Sequence, residues 1–248
     1  MVVCAVAAVC FLTDPKTERS SPSVGDNVSG LGPAQTEKWF DYLENPEEMN
    51  WDGRLEIALP EYPGVTFRWY PEKMDAVTGN EVTQLYTGMP IWNTYFCDLT
   101  GDGFPDLCST LTIGSGIIDS RIIVYDYANG ASYTLEDRGK YDYSLRLNET
   151  DGCLWVVKKA YNSDDIVASG KLLFADNCLR VAYTLYETHK FTSVTIRNDG
   201  EDTLRITIGS DEKDLAVGEE TSLAYTDFAL RTIKLSSFGE LDYTVTYD

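Results

Sequence analysis

From residue 54 onward the chain is written in short runs in which apolar and polar residues alternate. "RLEIAL" (54–59) sets Leu55, Ile57 and Leu59 on one face, and "VTFRWY" (65–70) does the same with Val65, Phe67 and Trp69. A period of two is what a strand with one buried face requires, and no helical period of any length competes with it. "TYFCDL" (94–99), "DLCSTLTI" (106–113), "SRIIVYDY" (120–127), "SYTLED", "YDYSLRL", "CLWVVKKA" and "KLLF" continue the pattern. Between them stand turn clusters such as "ANGA", "NETDG" and "YNSDD", which punctuate strands. Strands joined by short turns pair antiparallel. The expectation is therefore a mainly β fold of antiparallel sheets in a sandwich-like arrangement.

One segment predicts a helix. Thr36 can cap "EKWFDYLEN", with Trp39, Phe40 and Leu43 on one face and Pro46 limiting its extension. Residues 36–190 then form one β-rich domain. Residues 191–248 predict a second, smaller β-sandwich-like unit, opening with a hairpin in which "FTSVTIR" and "EDTLRITI" flank an Asp-Gly turn.

Ahead of these lie two segments of different character. Residues 1–12, MVVCAVAAVCFL, are wholly apolar and uncharged. As a helix they would span about 18 Å, short of a roughly 30 Å bilayer core. They read as the outer part of a transmembrane helix or as a short export signal, and either places the following domain outside the cytoplasm. Residues 13–35 are rich in Pro, Ser and Gly and read as a flexible linker.

The balance of 20 Lys and Arg against 40 Asp and Glu gives a formal charge of −20. Such a surface repels nucleic-acid phosphates and anionic lipid headgroups. Contact with a membrane is then expected only through the N-terminal segment. Divalent cations suit it better.

"DLTGDGFPDL" (98–107) is where a cation would sit. Counting from Asp98, oxygen ligands fall at alternate positions: Asp98, Thr100, Asp102, the carbonyl of Phe104, and Asp106 two places further on. Gly103 permits the sharp turn. Calcium takes six to eight oxygens, and this spacing supplies most of them. Ser109 stands where an EF-hand has its bidentate Glu, and strands rather than helices flank the loop. The loop resembles the D-x-[DN]-x-D-G-x-x-D calcium loops of integrin-type propeller blades, with Thr100 where Asn or Asp is usual. A propeller needs at least about four such repeats, and the chain has one, so the loop reads as a local calcium staple with a structural role.

The cysteines Cys4, Cys10, Cys97, Cys108, Cys153 and Cys178 form no C-x-x-C pair, which argues against a zinc knuckle. Cys97 with Cys108 and Cys153 with Cys178 flank turns and stand either as disulfides or as buried thiols. No H-E-x-x-H, no G-x-S-x-G and no Lys-Thr-Gly occurs, and His189 is the one histidine. No catalytic set follows from these residues, and no enzyme is expected.

"MNWDGRLEIALPEYPGVTFRWYPEKMDAV" (49–77), followed by "YTGMPIWNTYFCDLTGDGFPDLCSTLTIGSGIIDSRIIVYDYANGASYTLEDRGKYDY" (86–143), resembles the extracytoplasmic C-terminal region of clostridial membrane metallopeptidases of the BlaR/MecR type, which are antirepressor regulators. The catalytic zinc motif of that family lies in a membrane part with no counterpart here, so the resemblance implies no catalytic residue. It implies a tethered sensor or interaction domain with an unknown extracellular ligand or protein partner. The alternative is a secreted glycan-binding or adhesion module, for which Trp92 or Trp155 would have to line a groove.

Overall fold

A computed structural model describes Thr36–Asp248 apart from Glu240. The expectations for residues 1–12 and 13–35 lie outside the described residues. Within them the fold is mainly β, with antiparallel sheets in a sandwich-like arrangement. No helix of the described residues is long and apolar enough to cross a membrane.

The chain opens with β1 (Glu37–Asp41), then a single 3-10 turn, Pro46–Glu48. A four-stranded meander follows: β2 (Leu55–Ile57), β3 (Val65–Tyr70), β4 (Lys73–Thr78) and β5 (Glu81–Thr87). A second meander runs through β6 (Ile91–Cys97), β7 (Asp106–Ile113), β8 (Asp119–Asp126) and β9 (Ala131–Leu135), and β1 joins it beside β6. The third sheet is built from β10 (Tyr141–Asn148), β11 (Cys153–Ala160), β12 (Ile166–Ala175), β13 (Cys178–Asn198), β14 (Leu204–Ile208), β15 (Asp211–Leu215), β16 (Glu220–Ser237) and β17 (Tyr243–Tyr247).

The expected helix over 37–45 is corrected to the strand β1. Nine residues are too few to hold a helix in water without strong packing. As a strand the segment pairs with β6, buries Phe40, stacks Trp39 on Phe96 at 5.7 Å, and lets the Asp41 carboxylate accept the Tyr95 hydroxyl at 2.5 Å.

The second sheet is the middle layer. Phe96 and Leu107 pack with Phe67, Trp69 and Met74 of the first sheet. The alternate residues Tyr95 and Cys108 pack with Leu145, Val156 and Leu172 of the third. Polar side chains buried in this layer are all bonded: Ser109 Oγ lies 2.7 Å from Tyr86 Oη and 2.8 Å from Thr94 Oγ1. Each buried hydroxyl thus keeps a partner, which desolvation demands.

A third core, aliphatic apart from Phe191, is built from residues within 191–248, among them Ile196, Leu204, Ile206, Ile233 and Leu235. Strand β13 runs unbroken across residue 190 into it. The expected β13–β14 hairpin is corrected. β16 lies between these two strands, and β13 also pairs with β17. The Asp199-Gly200 turn is occupied otherwise. Asn198 donates through its carboxamide to the carbonyls of Asp202 and Leu215, and Asp199 N donates to Asp242 O. The chain is led away to a distant partner rather than back on itself.

Candidate metal loop at the end of the middle sheet

The acidic loop connects β6 to β7, two neighbouring interior strands of the middle layer. Gly101 and Gly103 both have positive φ, 79° and 91°, a region closed to most side chains. These two glycines let the chain reverse while the loop's carboxylates turn inward onto its own backbone. Asp98 accepts from Gly101 N at 2.7 Å and Gly103 N at 2.9 Å. Asp102 Oδ1 accepts from Phe104 N at 2.8 Å. Asp106 Oδ2 accepts from Leu99 N at 2.8 Å and Thr100 N at 2.9 Å, and the Thr100 hydroxyl donates to Asp106 Oδ1 at 3.3 Å.

The Phe104 ring stacks on Tyr62, centroids 5.9 Å apart, and the Tyr62 hydroxyl donates to Pro105 O at 2.9 Å. The loop is therefore tied to the first sheet as well as to its own strands. Asp106 is 1% exposed. Burial pushes its carboxyl up to about 6 against the opposing N–H groups of Thr100 and Leu99, and the charge of Asp126 adds to the rise. The Tyr62 phenol is pushed up by burial first and then by Asp102, Asp106 and Asp126.

Asp126 and Asn129 are the residues that reading the chain alone missed. Asn129 Nδ2 lies 2.8 Å from both Asp102 Oδ2 and Asp126 Oδ2, and Asn129 N donates to Asp126 Oδ1 at 2.9 Å. The signal was the turn "DYANG", which reads only as a hairpin end. It reaches the acidic loop because β7 and β8 pair with Leu107 opposite Tyr125, bringing the next residues of both strands, Asp106 and Asp126, to the same end.

The donor set is all oxygen, as a hard cation requires. None of Asp98, Asp102, Asp106 and Asp126 has a Lys or Arg within ion-pair distance. As arranged, however, no three His, Cys, Asp or Glu side chains among the described residues converge to hold a metal ion. The carboxylates face backbone N–H groups instead. Each oxygen of Asp98 accepts one such bond and keeps a lone pair.

Cys97 and Cys108 bracket the loop as two buried thiols with sulfurs 3.6 Å apart. They sit on a diagonal, since Cys97 pairs with Asp106 and Cys108 with Tyr95. Cys153 and Cys178 are also free, and Cys178 is exposed rather than buried. Trp92 and Trp155 belong to different sheets, and their indole N–H groups are bonded to Thr112 Oγ1 at 2.8 Å and Asp151 Oδ2 at 3.2 Å. They build no shared aromatic platform. Compared with protein-family models, with curated proteins and with solved structures, the chain matches none of them.

Proposed function

We propose that this chain is a non-catalytic, extracytoplasmic β-domain, stapled by calcium, that serves as the sensor or interaction module of a membrane regulatory protein. The observation that carries the reading is the loop Asp98–Asp106: carboxylates, a hydroxyl and a carbonyl at ligand spacing, beside Asp126, with no basic partner on any of the four acids. Calcium would be held by Asp98, Thr100, Asp102, Asp106 and the carbonyl of Phe104. It would supply charge neutralisation at the junction of β6 and β7, and no chemistry. The apolar residues 1–12 and the linker 13–35 support a tether at the outer face of the cell membrane or export from the cell, and the resemblance of residues 49–143 supports the regulatory context.

Melting curves with calcium, with magnesium and with chelator test this. Extracellular calcium modules bind with Kd of about 10⁻⁴–10⁻³ M, so roughly 2 mM calcium should add about 0.6–1.8 kcal/mol. That corresponds to a rise in Tm of about 1–7 °C. Magnesium should do less, because it holds its waters and demands a tighter octahedron. Asp102→Ala should erase most of the calcium response. An undiminished response in that variant would move the ion to another part of the acidic surface, and no response in the parent chain would remove calcium from the proposal.

A further inference from the structure

Strand β10 is the edge of the third sheet, yet its outer edge is not bare. Asn93 Nδ2 donates to Leu145 O at 3.0 Å, and Leu145 N donates to Thr110 Oγ1 at 2.8 Å. Side chains of the middle sheet thus satisfy the edge that another chain would otherwise seek. Along this seam opens a cleft of about 400 Å³, within the range of roughly 300–1,000 Å³ typical of ligand sites. It shares no residue with the acidic loop.

One wall is the face of β10 that carries Asp142, Ser144 and Arg146, with Lys159 of β11 directly opposite Asp142. Asp142 is already committed. Its two oxygens accept Ser120 N at 2.7 Å and Asn162 N at 2.9 Å, which fixes the position of the turn at Asn162. Four of the side-chain donors around it are free or weakly held. Arg146 has no carboxylate partner, although acids outnumber bases 40 to 20. Every other described arginine except Arg138 holds a carboxylate within ion-pair distance. The Ser144 hydroxyl and the Asn162 carboxamide make no hydrogen bond to the protein. Lys159 reaches only Asp164, at 3.2 Å, whose side chain is fully exposed, and such a pair is weak and easily exchanged. The cleft therefore offers two cationic side chains and two unbonded polar ones, beside Asp142 and Asp164, which also line it, in a chain with twice as many acids as bases.

We propose that this cleft binds a small hydroxylated oxyanion, a sugar-sized molecule bearing a carboxylate or a phosphate. Arg146 and Lys159 take the oxyanion, and Ser144 and Asn162 take hydroxyls. The proposal goes beyond the reading of the acidic loop and does not depend on calcium.

Calorimetric titration with glucuronate, glucose 6-phosphate, glucose, acetate and inorganic phosphate tests it, in chelator so that calcium plays no part. At least one charged sugar should bind tenfold or more tighter than glucose, and which one binds separates a carboxylate ligand from a phosphate ligand. Arg146→Gln should weaken that binding by about tenfold to a hundredfold, the value of one charge-assisted contact, with an unchanged melting temperature. Lys234→Gln, outside the cleft, should leave it intact. Ser144→Ala should cost less than Arg146→Gln but more than Lys234→Gln. If neither charged sugar outbinds glucose, or if Arg146→Gln binds like the parent, the proposal is overturned. Acetate or phosphate binding as tightly as the sugars would overturn it equally, since bare charge would then suffice.

Discussion

Asp106, at the acidic loop, and Glu187, on the seam between β13 and β17, each have three donor groups around them, and their protonation is displaced in opposite directions. Asp106 accepts from Leu99 N, Thr100 N and the Thr100 hydroxyl, yet its carboxyl is pushed up to about 6. Glu187 accepts from the Tyr243 hydroxyl at 2.6 Å and the Tyr247 hydroxyl at 2.7 Å, with His189 Nε2 3.6 Å away. Burial pushes Glu187 up as well, but the two phenols and His189 outweigh it and hold the group below the usual carboxylate range. The number of hydrogen bonds does not decide the outcome. Asp106 is 1% exposed and faces another acid, whereas the Glu187 side chain is 26% exposed and faces a histidine. Depth of burial and the sign of the nearest charge separate the two.

The cores beneath these carboxylates differ too. Around the acidic loop the packing is aromatic, with Phe40, Tyr62, Phe67, Trp69, Tyr86 and Phe96 in one cluster. Around the C-terminal strands the fully buried residues are aliphatic apart from Phe191, with Tyr225, Tyr243 and Tyr247 packed at the margin. All 5 tryptophans precede residue 156 and none belongs to the aliphatic core, so their fluorescence reports the rest of the molecule.

The largest effect expected is from Ile206→Ala, a fully buried residue of the aliphatic core. Truncation of this kind costs about 2–5 kcal/mol. In urea the backbone circular dichroism should lose part of its signal earlier, while the tryptophan midpoint stays in place. Both midpoints moving together would join the two ends into one cooperative unit.

Next comes Asp106→Asn, measured in chelator. A carboxyl whose folded pKa is raised adds stability that is complete below its unfolded value and lost as pH rises through the folded one. The shift from 3.8 to about 6, at about 1.4 kcal/mol per unit, predicts that the Asn variant is more stable than the parent by about 2–3 kcal/mol at pH 7.5. The difference should shrink to nothing near pH 4. A variant less stable than the parent at pH 7.5 would break the contrast.

Glu187→Gln should show the opposite sign and a smaller size. The lowered carboxyl stabilises the fold above its unfolded value and loses that contribution as pH falls through the folded one. The variant should lose about 1–2 kcal/mol at pH 7, and the difference should close as the pH falls through the lowered folded value. Equal stability of the two at pH 7 would show that the seam does not depend on the charge.

Several features were legible in the residues themselves. Alternation assigned β3 to the residue, because a half-buried strand must repeat every two positions whatever it pairs with. The spacing of Asp98, Asp102 and Asp106 around Gly103 placed a tight acidic connection between two strands, because backbone reversal and local carboxylate–amide bonds involve only neighbours in the chain. Partnership was not legible. That Asn129 reaches Asp102, that β16 rather than β14 lies beside β13, and that residues 37–41 form a strand beside β6 all depend on groups far away in sequence. Local pattern decides which face of a segment must be buried. Only the packed whole decides against what, since many partners can bury the same face and the one chosen bonds nearly every polar group it buries, Asp75 Oδ1 and Arg180 Nε being the exceptions among the described residues.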